Sequence, residues 1–177
     1  MSHLSAIVYT SQTGFTRRYA EMLAQKTGLP ACELGGPAPA RGTGVLYLGW
    51  LRAGGVQGLA KARRRWDVKG VCAVGMSPEP NGKVLGDPVL PAFYLRGGYA
   101  PDRLTGPYKW AMSAMARMVT QNPPKDDQER AVQEAFRQGG DWVDEAYLNP
   151  VLDWLSRQGR SLALRSCQAR MARRICW

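Results

Sequence analysis

Histidine is almost absent from this chain of 177 residues, because the only one is His3, close to the N-terminus. A Ser-His-Asp triad, a Cys-His pair or a histidine-rich metal centre each needs a histidine held firmly by the fold. The sequence therefore predicts no metal site and indicates no catalytic residue. If the protein is an enzyme, we expect a cofactor to carry the chemistry.

Cysteine pairs and long apolar runs are also lacking. The four cysteines form no C-x-x-C motif, which favours reduced, structural thiols; they are Cys32, Cys72, Cys167 and Cys176. No apolar stretch approaches the roughly 18 residues that a membrane-spanning helix needs. The N-terminus runs into a strand-like segment without a signal-peptide pattern. We expect a cytoplasmic protein of one domain.

Acidic residues are the minority, with 14 against 24 lysines and arginines, so the net charge is +10. This excess predicts attraction to anionic ligands, anionic lipid surfaces or nucleic acid, and does not choose among them.

Short apolar runs alternate with helical patterns along the chain, which is typical of an α/β protein with a parallel sheet covered on both faces. Such sheets bind ligands at the carboxyl ends of their strands. The predicted strands are Ala6–Thr10, Ala31–Leu34, Val45–Leu48, Val71–Gly75 and Ala92–Leu95. The predicted helices are Thr16–Lys26, Val56–Trp66, Tyr108–Val119, and a long one from Asp126 or Asp127 that Asn149-Pro150 stops or kinks.

The first strand leads into Thr10–Thr16, which brings four hydroxyls and Gly14 to the start of a helix. The unpaired N–H groups of a helix's first turn bind phosphate well, and hydroxyls add further donors. The loop therefore predicts a phosphate site without lysine. The alternative is that Ser and Thr only cap the helix.

This loop resembles the phosphate loop of the flavodoxins, S/T-x-T-G-x-T, and differs from G-x-x-x-x-G-K-S/T and G-x-G-x-x-G. The matching residues are Ser11, Thr13, Gly14 and Thr16. The resemblance implies a flavodoxin-like fold, which is a doubly wound, five-stranded parallel sheet in the order 2-1-3-4-5 with helices on both faces. It also implies that the cofactor is FMN.

Over residues 5–148 the sequence is similar to a subgroup that contains the flavodoxin-like, quinone-dependent protoporphyrinogen oxidases. Gly49–Gly54 lies where that subgroup has S-I-R-Y-G; Arg52 and Gly54 match, while Trp50 and Ala53 depart from it. An aromatic, methionine-rich insertion near residues 99–125 is the second similarity. The implied function is an FMN-dependent oxidoreductase with quinone as acceptor. The alternatives are a flavodoxin-type electron-transfer protein without its own substrate, and an interaction module that lacks FMN.

The resemblance also implies which residues bind FMN. The flavin ring would lie between the loops that follow the Val45 and Val71 strands. Trp50 either stacks on the ring or packs beside the strand, and Arg52 either engages reduced flavin or a substrate carboxylate or is solvated. The implied site consists of Ser11, Gln12, Thr13, Gly14, Phe15, Thr16, Trp50, Leu51, Arg52, Ala53, Gly54, Met76, Ser77 and Pro78.

The resemblance implies an FMN-binding domain over residues 1–150, which includes the insertion, and a basic extension over residues 151–177 follows it. The insertion's segment Tyr108–Met118 is either a core helix or an apolar lid or membrane-contacting face. The extension is either a basic surface anchor or a solvated terminus. The expected partner is a redox protein or a quinone, with no nucleic acid, and the inner face of the membrane is an alternative location.

Overall fold

One mostly parallel sheet organises the protein in a computed structural model that describes residues 3–78 and 90–158. Its parallel strands follow the order β2-β1-β3-β5-β6, and β4 pairs antiparallel with the end of β3. The prediction of an α/β protein with a mostly parallel sheet is confirmed. The strands are β1 (Leu4–Thr10), β2 (Ala31–Glu33), β3 (Gly44–Arg52), β4 (Gly55–Val56), β5 (Asp67–Gly75) and β6 (Ala92–Arg96).

Both faces of the sheet are buried, because successive strand residues point to opposite sides and are apolar on both. On β1, Ile7 and Tyr9 face one core, whereas Ala6 and Val8 face the other. Cys72 of β5 is completely buried, as the sequence predicts for a structural thiol, and burial raises its pKa. Cys167 and Cys176 lie outside the described residues.

Helix α1 (Phe15–Thr27) covers the first face and buries Tyr19 and Leu23 against the sheet. Residues 149–158 form a second helix on this face. Its Val151 is fully buried, and the ring of its Trp154 lies 5.7 Å from that of Phe93 between centroids. The core therefore continues beyond residue 150. Residues 159–177, most of the predicted basic extension, lie outside the described part of the chain.

Helix α2 (Leu59–Arg63) covers the second face and is shorter than the predicted Val56–Trp66. That prediction is wrong at its start, because Val56 belongs to β4 and a left-handed Gly58 separates this strand from the helix. At its end, Trp66 still packs into the second core, and its indole N–H donates to the carbonyl of Pro39 at 3.1 Å.

A small layer beside the sheet contains the insertion. Strands β7 (Gly98–Tyr99) and β8 (Gly140–Asp141) pair antiparallel at its base. Between them run a short 3-10 turn and the helices α3 (Gly106–Thr120) and α4 (Asp127–Gln138). None of the described helices is long and apolar enough to cross a membrane.

The predicted long fourth helix is wrong beyond residue 138, where β8 and a short 3-10 turn follow α4. Helix α4 begins as expected, with the Asp126 carboxylate accepting a hydrogen bond from the Glu129 amide at 2.7 Å. It ends, however, at Gly139, which has a positive φ of 81°. Asn149-Pro150 therefore does not stop this helix but opens the next one, since proline is well tolerated in a first turn.

Candidate functional site

The parallel strands end together at one edge of the sheet. Thr10 lies beside Gly49, Trp50 beside Val74, and Gly75 beside Arg96. Residues that follow these positions are therefore brought together, although they are far apart in the sequence.

A cleft lies over this edge, with an enclosed volume of about 80 Å³. Most of its lining residues are apolar or aromatic, and Gln12, Thr13 and Thr16 add polar side chains from the loop before α1 and from its first turn. The lining residues are Gln12, Thr13, Phe15, Thr16, Trp50, Leu51, Val74, Gly75, Met76, Gly98, Tyr99, Ala100, Leu104 and Met112. The cleft therefore unites half of the predicted FMN site with residues of the insertion.

The loop before α1 has the conformation of a helix start. Gly14 occupies the N-cap position with φ 98°, a left-handed conformation in which other residues are strained. The Ser11 hydroxyl accepts hydrogen bonds from the amides of Gly14 at 3.1 Å and Arg17 at 3.4 Å. Ser11 thus caps the helix, as the alternative interpretation of the loop predicts, whereas Thr13 and Thr16 line the cleft.

Arg103 adds a positive charge to this loop, which the sequence did not indicate. Its Nη1 donates to the carbonyl of Thr13 at 3.4 Å and lies 3.7 Å from where a Cβ on Gly14 would be. The first turn of α1 contains no acidic residue that would oppose an anion. The loop, the helix start and Arg103 together form a positive corner of the cleft.

Two other arginines near the start of α1 are engaged elsewhere. Arg17 donates to the Tyr9 hydroxyl at 3.2 Å and to Glu33 at 2.8 Å, which raises the pKa of its guanidinium. Arg18 pairs with Asp141. Burial tends to raise the pKa of Asp141, but the hydrogen bonds from Arg18 and the Val143 amide and the positive charges of Arg18 and Arg103 together outweigh it, so the net shift is downward. Arg103 is therefore the arginine that brings charge to the loop.

The second predicted segment, Trp50–Gly54, is not the loop that the sequence indicated. Strand β3 was expected to end at Leu48 but runs on to Arg52, so Trp50 and Leu51 enter the cleft wall from a strand. Ala53 and Gly54 form the exposed tip of the β3–β4 hairpin, with φ values of 46° and 78°. Arg52 is also exposed and is not part of the cleft lining.

The third predicted segment, residues 76–78, also lies only partly in the cleft. Met76 lines the cleft, while Ser77 and Pro78 are exposed beside it. The Ser77 carbonyl accepts a hydrogen bond from the Tyr94 hydroxyl at 2.7 Å. Burial raises the pKa of Tyr94 to about 12. This hydroxyl therefore stays protonated near neutral pH and fixes the turn that carries Met76.

The insertion closes one side of the cleft. Leu104 and Tyr99 form a small core with Phe136, and Met112 of α3 packs against it while also lining the cleft. Trp110 and Met118 of the same helix are exposed. Helix α3 is thus neither wholly core nor wholly a detached lid, since one side packs and the other does not.

Comparison of this chain with protein-family models, with curated proteins and with solved structures finds no match.

Proposed function

We propose that the protein is an FMN-dependent oxidoreductase with a flavodoxin-like fold. The position of the cleft carries this proposal. Strands β2 and β3 lie on opposite sides of β1, so the chain changes direction across the sheet at β1, and α/β proteins bind nucleotides at such a point. The phosphate-type loop follows β1 directly, at the start of α1.

The positive corner fits the terminal phosphate of FMN. The Phe15 and Thr16 amides in the first turn of α1, the Thr13 hydroxyl and the Arg103 guanidinium are the groups that would hold it. Gly14 keeps the approach to these amides free of a side chain. A neutral ligand would gain little from this corner.

The apolar part of the cleft fits one edge of the flavin ring, between Trp50, Met76 and Tyr99. Its enclosed volume of about 80 Å³ is below the roughly 300–1,000 Å³ of most small-molecule pockets. The ring would therefore extend beyond the enclosed space, or Met112 would move outward with α3. FMN, when bound, supplies the electron-accepting chemistry; the chain's own residues orient it and exclude water.

For the substrate we propose a porphyrinogen, with a quinone as the electron acceptor. Both are largely apolar, and the cleft wall that the insertion adds is apolar, made by Met112, Leu104 and Tyr99. Few acid–base groups are needed in such a reaction, and the part of the chain that the structure describes places no Asp, Glu, Lys or His in the cleft lining. A role for Arg52 in engaging a substrate carboxylate stays a prediction.

The visible spectrum of the purified protein tests the cofactor. We expect flavin absorption, and in titrations of cofactor-free protein we expect Thr13→Val with Gly14→Ala to weaken FMN far more than riboflavin. Both changes affect the phosphate corner and leave the apolar wall intact. Equal weakening of the two ligands would place the phosphate elsewhere, and failure to bind either would remove FMN from the proposal.

Anaerobic turnover tests the reaction. The FMN-loaded protein should oxidise protoporphyrinogen with a quinone faster than the spontaneous rate. If FMN binds but no acceleration occurs, and the protein exchanges electrons rapidly with a redox protein instead, it is an electron carrier without its own substrate.

A further inference from the structure

The exposed large apolar side chains of the described residues are concentrated on the insertion. They are Trp110 with 81% exposed, Met118 with 71%, Met115 with 48% and Val132 with 41%. The first three belong to α3 and the fourth to the adjacent α4. Single exposed apolar residues are ordinary, but a group of this kind on one helical hairpin marks an interaction surface.

Helix α3 has two apolar sides. Met112, Ala116 and Val119 recur at intervals of four and three residues and pack toward Tyr99 and its neighbours. Trp110 and Met118, eight residues apart, point away from that side. Met115 lies at the boundary between the packed side and the exposed side of the helix. Packing of the inner side does not require an apolar outer side, so the outer side needs a separate explanation.

The charges of α3 agree with a negatively charged partner. The helix contains Lys109 and Arg117, both exposed, and no Asp or Glu over its fifteen residues. The whole chain carries a net charge of +10. Tryptophan and long basic side chains beside an apolar helix face are the residues that settle at the boundary between lipid headgroups and acyl chains.

We propose that the outer face of α3, formed by Trp110, Met115 and Met118 with Arg117, and with Lys109 at its edge beside Trp110, docks on an anionic lipid surface. A second copy of the chain fits less well, since a stable dimer interface takes about 20–30 residues from each side, whereas this face offers a few. The docking does not depend on FMN or on the proposed reaction.

Sedimentation with lipid vesicles tests this proposal. We expect the full chain to bind vesicles that contain phosphatidylglycerol, to bind pure phosphatidylcholine weakly, and to dissociate as salt rises. Trp110→Ser with Met118→Ser should lower partitioning at least about tenfold, because both side chains would enter the lipid boundary. Both are exposed, so the thermal unfolding midpoint should not fall.

A charge-matched pair of variants separates the helix from the overall charge. Lys109→Gln with Arg117→Gln should weaken binding by roughly fivefold per charge, whereas Lys61→Gln on α2 with Arg64→Gln directly after it removes the same net charge and should have a much smaller effect. Equal effects of the two pairs, or full binding by the Trp110/Met118 variant, would overturn the proposal. So would a wild-type dimer that this variant converts to monomer, because a second copy would then cover the face.

Discussion

Arg103 lies where a bound phosphate needs a positive charge, since its guanidinium contacts the Thr13 carbonyl at the start of α1. We expect Arg103→Gln to weaken FMN binding roughly tenfold, because a hydrogen bond to a charged group is worth about 1.5–3 kcal/mol and solvent weakens it at this exposed position. Riboflavin, which lacks the phosphate, should bind nearly as before. Isothermal titration of both ligands measures the difference.

Lys61→Gln is the matched control for Arg103→Gln, because Lys61 is an exposed cation on α2 that does not line the cleft. It should leave both affinities unchanged. If Arg103→Gln weakened FMN and riboflavin alike, the residue would act by shaping the cleft and not by binding the phosphate.

Single residues also show what could be predicted from the sequence. The hydroxyls and Gly14 could be recognised because they are consecutive in the chain and adjoin a strand and a helix, so local pattern places them. Arg103 contacts the same loop from 90 residues away and lies in the short 3-10 turn of the insertion. No periodicity or motif marks such a residue, because only the folding of the insertion brings it there.

Tyr19 links α1 to two distant segments, and its ionisation predicts a loss of stability in alkali. Its hydroxyl donates to the Arg96 carbonyl at 2.5 Å and accepts from the Asp144 amide at 3.2 Å. Burial raises its pKa from 10.0 to about 12. The folded protein favours the neutral phenol, so this stabilisation is complete below pH 10 and is lost as pH rises toward 12.

We expect Tyr19→Phe to lower the free energy of unfolding near neutral pH by about 1–3 kcal/mol, because it leaves a half-buried carbonyl and an amide without this partner. The variant should also lose less stability than wild type between pH 10 and pH 12. Denaturant unfolding at several pH values provides the measurement. Parallel curves for the two proteins would show that other groups cause the alkaline loss.

The β3–β4 hairpin gives a prediction at the level of elements. Ala53 and Gly54 both have positive φ and connect Arg52 to its partner Gly55, which is the pattern of a two-residue type I′ turn. Asparagine tolerates the first position better than alanine, so Ala53→Asn should raise stability by about 0.5–1 kcal/mol. Gly54→Ala should lower it. Thermal unfolding of both variants tests the turn, and a stabilising Gly54→Ala would contradict its assignment.

Helices and strands could be predicted where the periodicity of apolar residues was strong, and their ends were misplaced where a glycine interrupted the pattern. The central strands, α1 and α3 follow from continuous apolar runs and helical spacing. The start of α2 was misplaced because the turn at Ala53 and Gly54 reverses the chain and pairs Val56 with Leu51 in the sheet. Helix α4 was expected to run to Asn149, but Gly139 ends it and leads into β8. In each case a tertiary pairing overrode a local helical pattern.

At the scale of the whole molecule, the insertion behaves as a separable layer. Its core of Tyr99, Leu104 and Phe136 is distinct from the two cores that flank the sheet. It leaves and rejoins the rest of the fold at one point, because β7 pairs with β8 and Tyr99 lies opposite Gly140. The sequence indicated an insertion but could not show that its two ends meet.

Replacing residues 101–138 by a two-residue Asn-Gly linker should therefore leave the sheet and its two cores folded, since the connection from β7 to β8 then has the length of an ordinary hairpin loop. This protein should lose porphyrinogen oxidation, because Leu104 and Met112 leave the cleft wall, and should bind FMN no better than the Arg103→Gln variant.

Deleting α3 alone is the contrasting change, because it uncovers Leu104 and Phe136 and should promote aggregation. Circular dichroism, thermal unfolding and flavin titration distinguish the two. Cooperative unfolding lost in the 101–138 replacement would show that the insertion belongs to the main core.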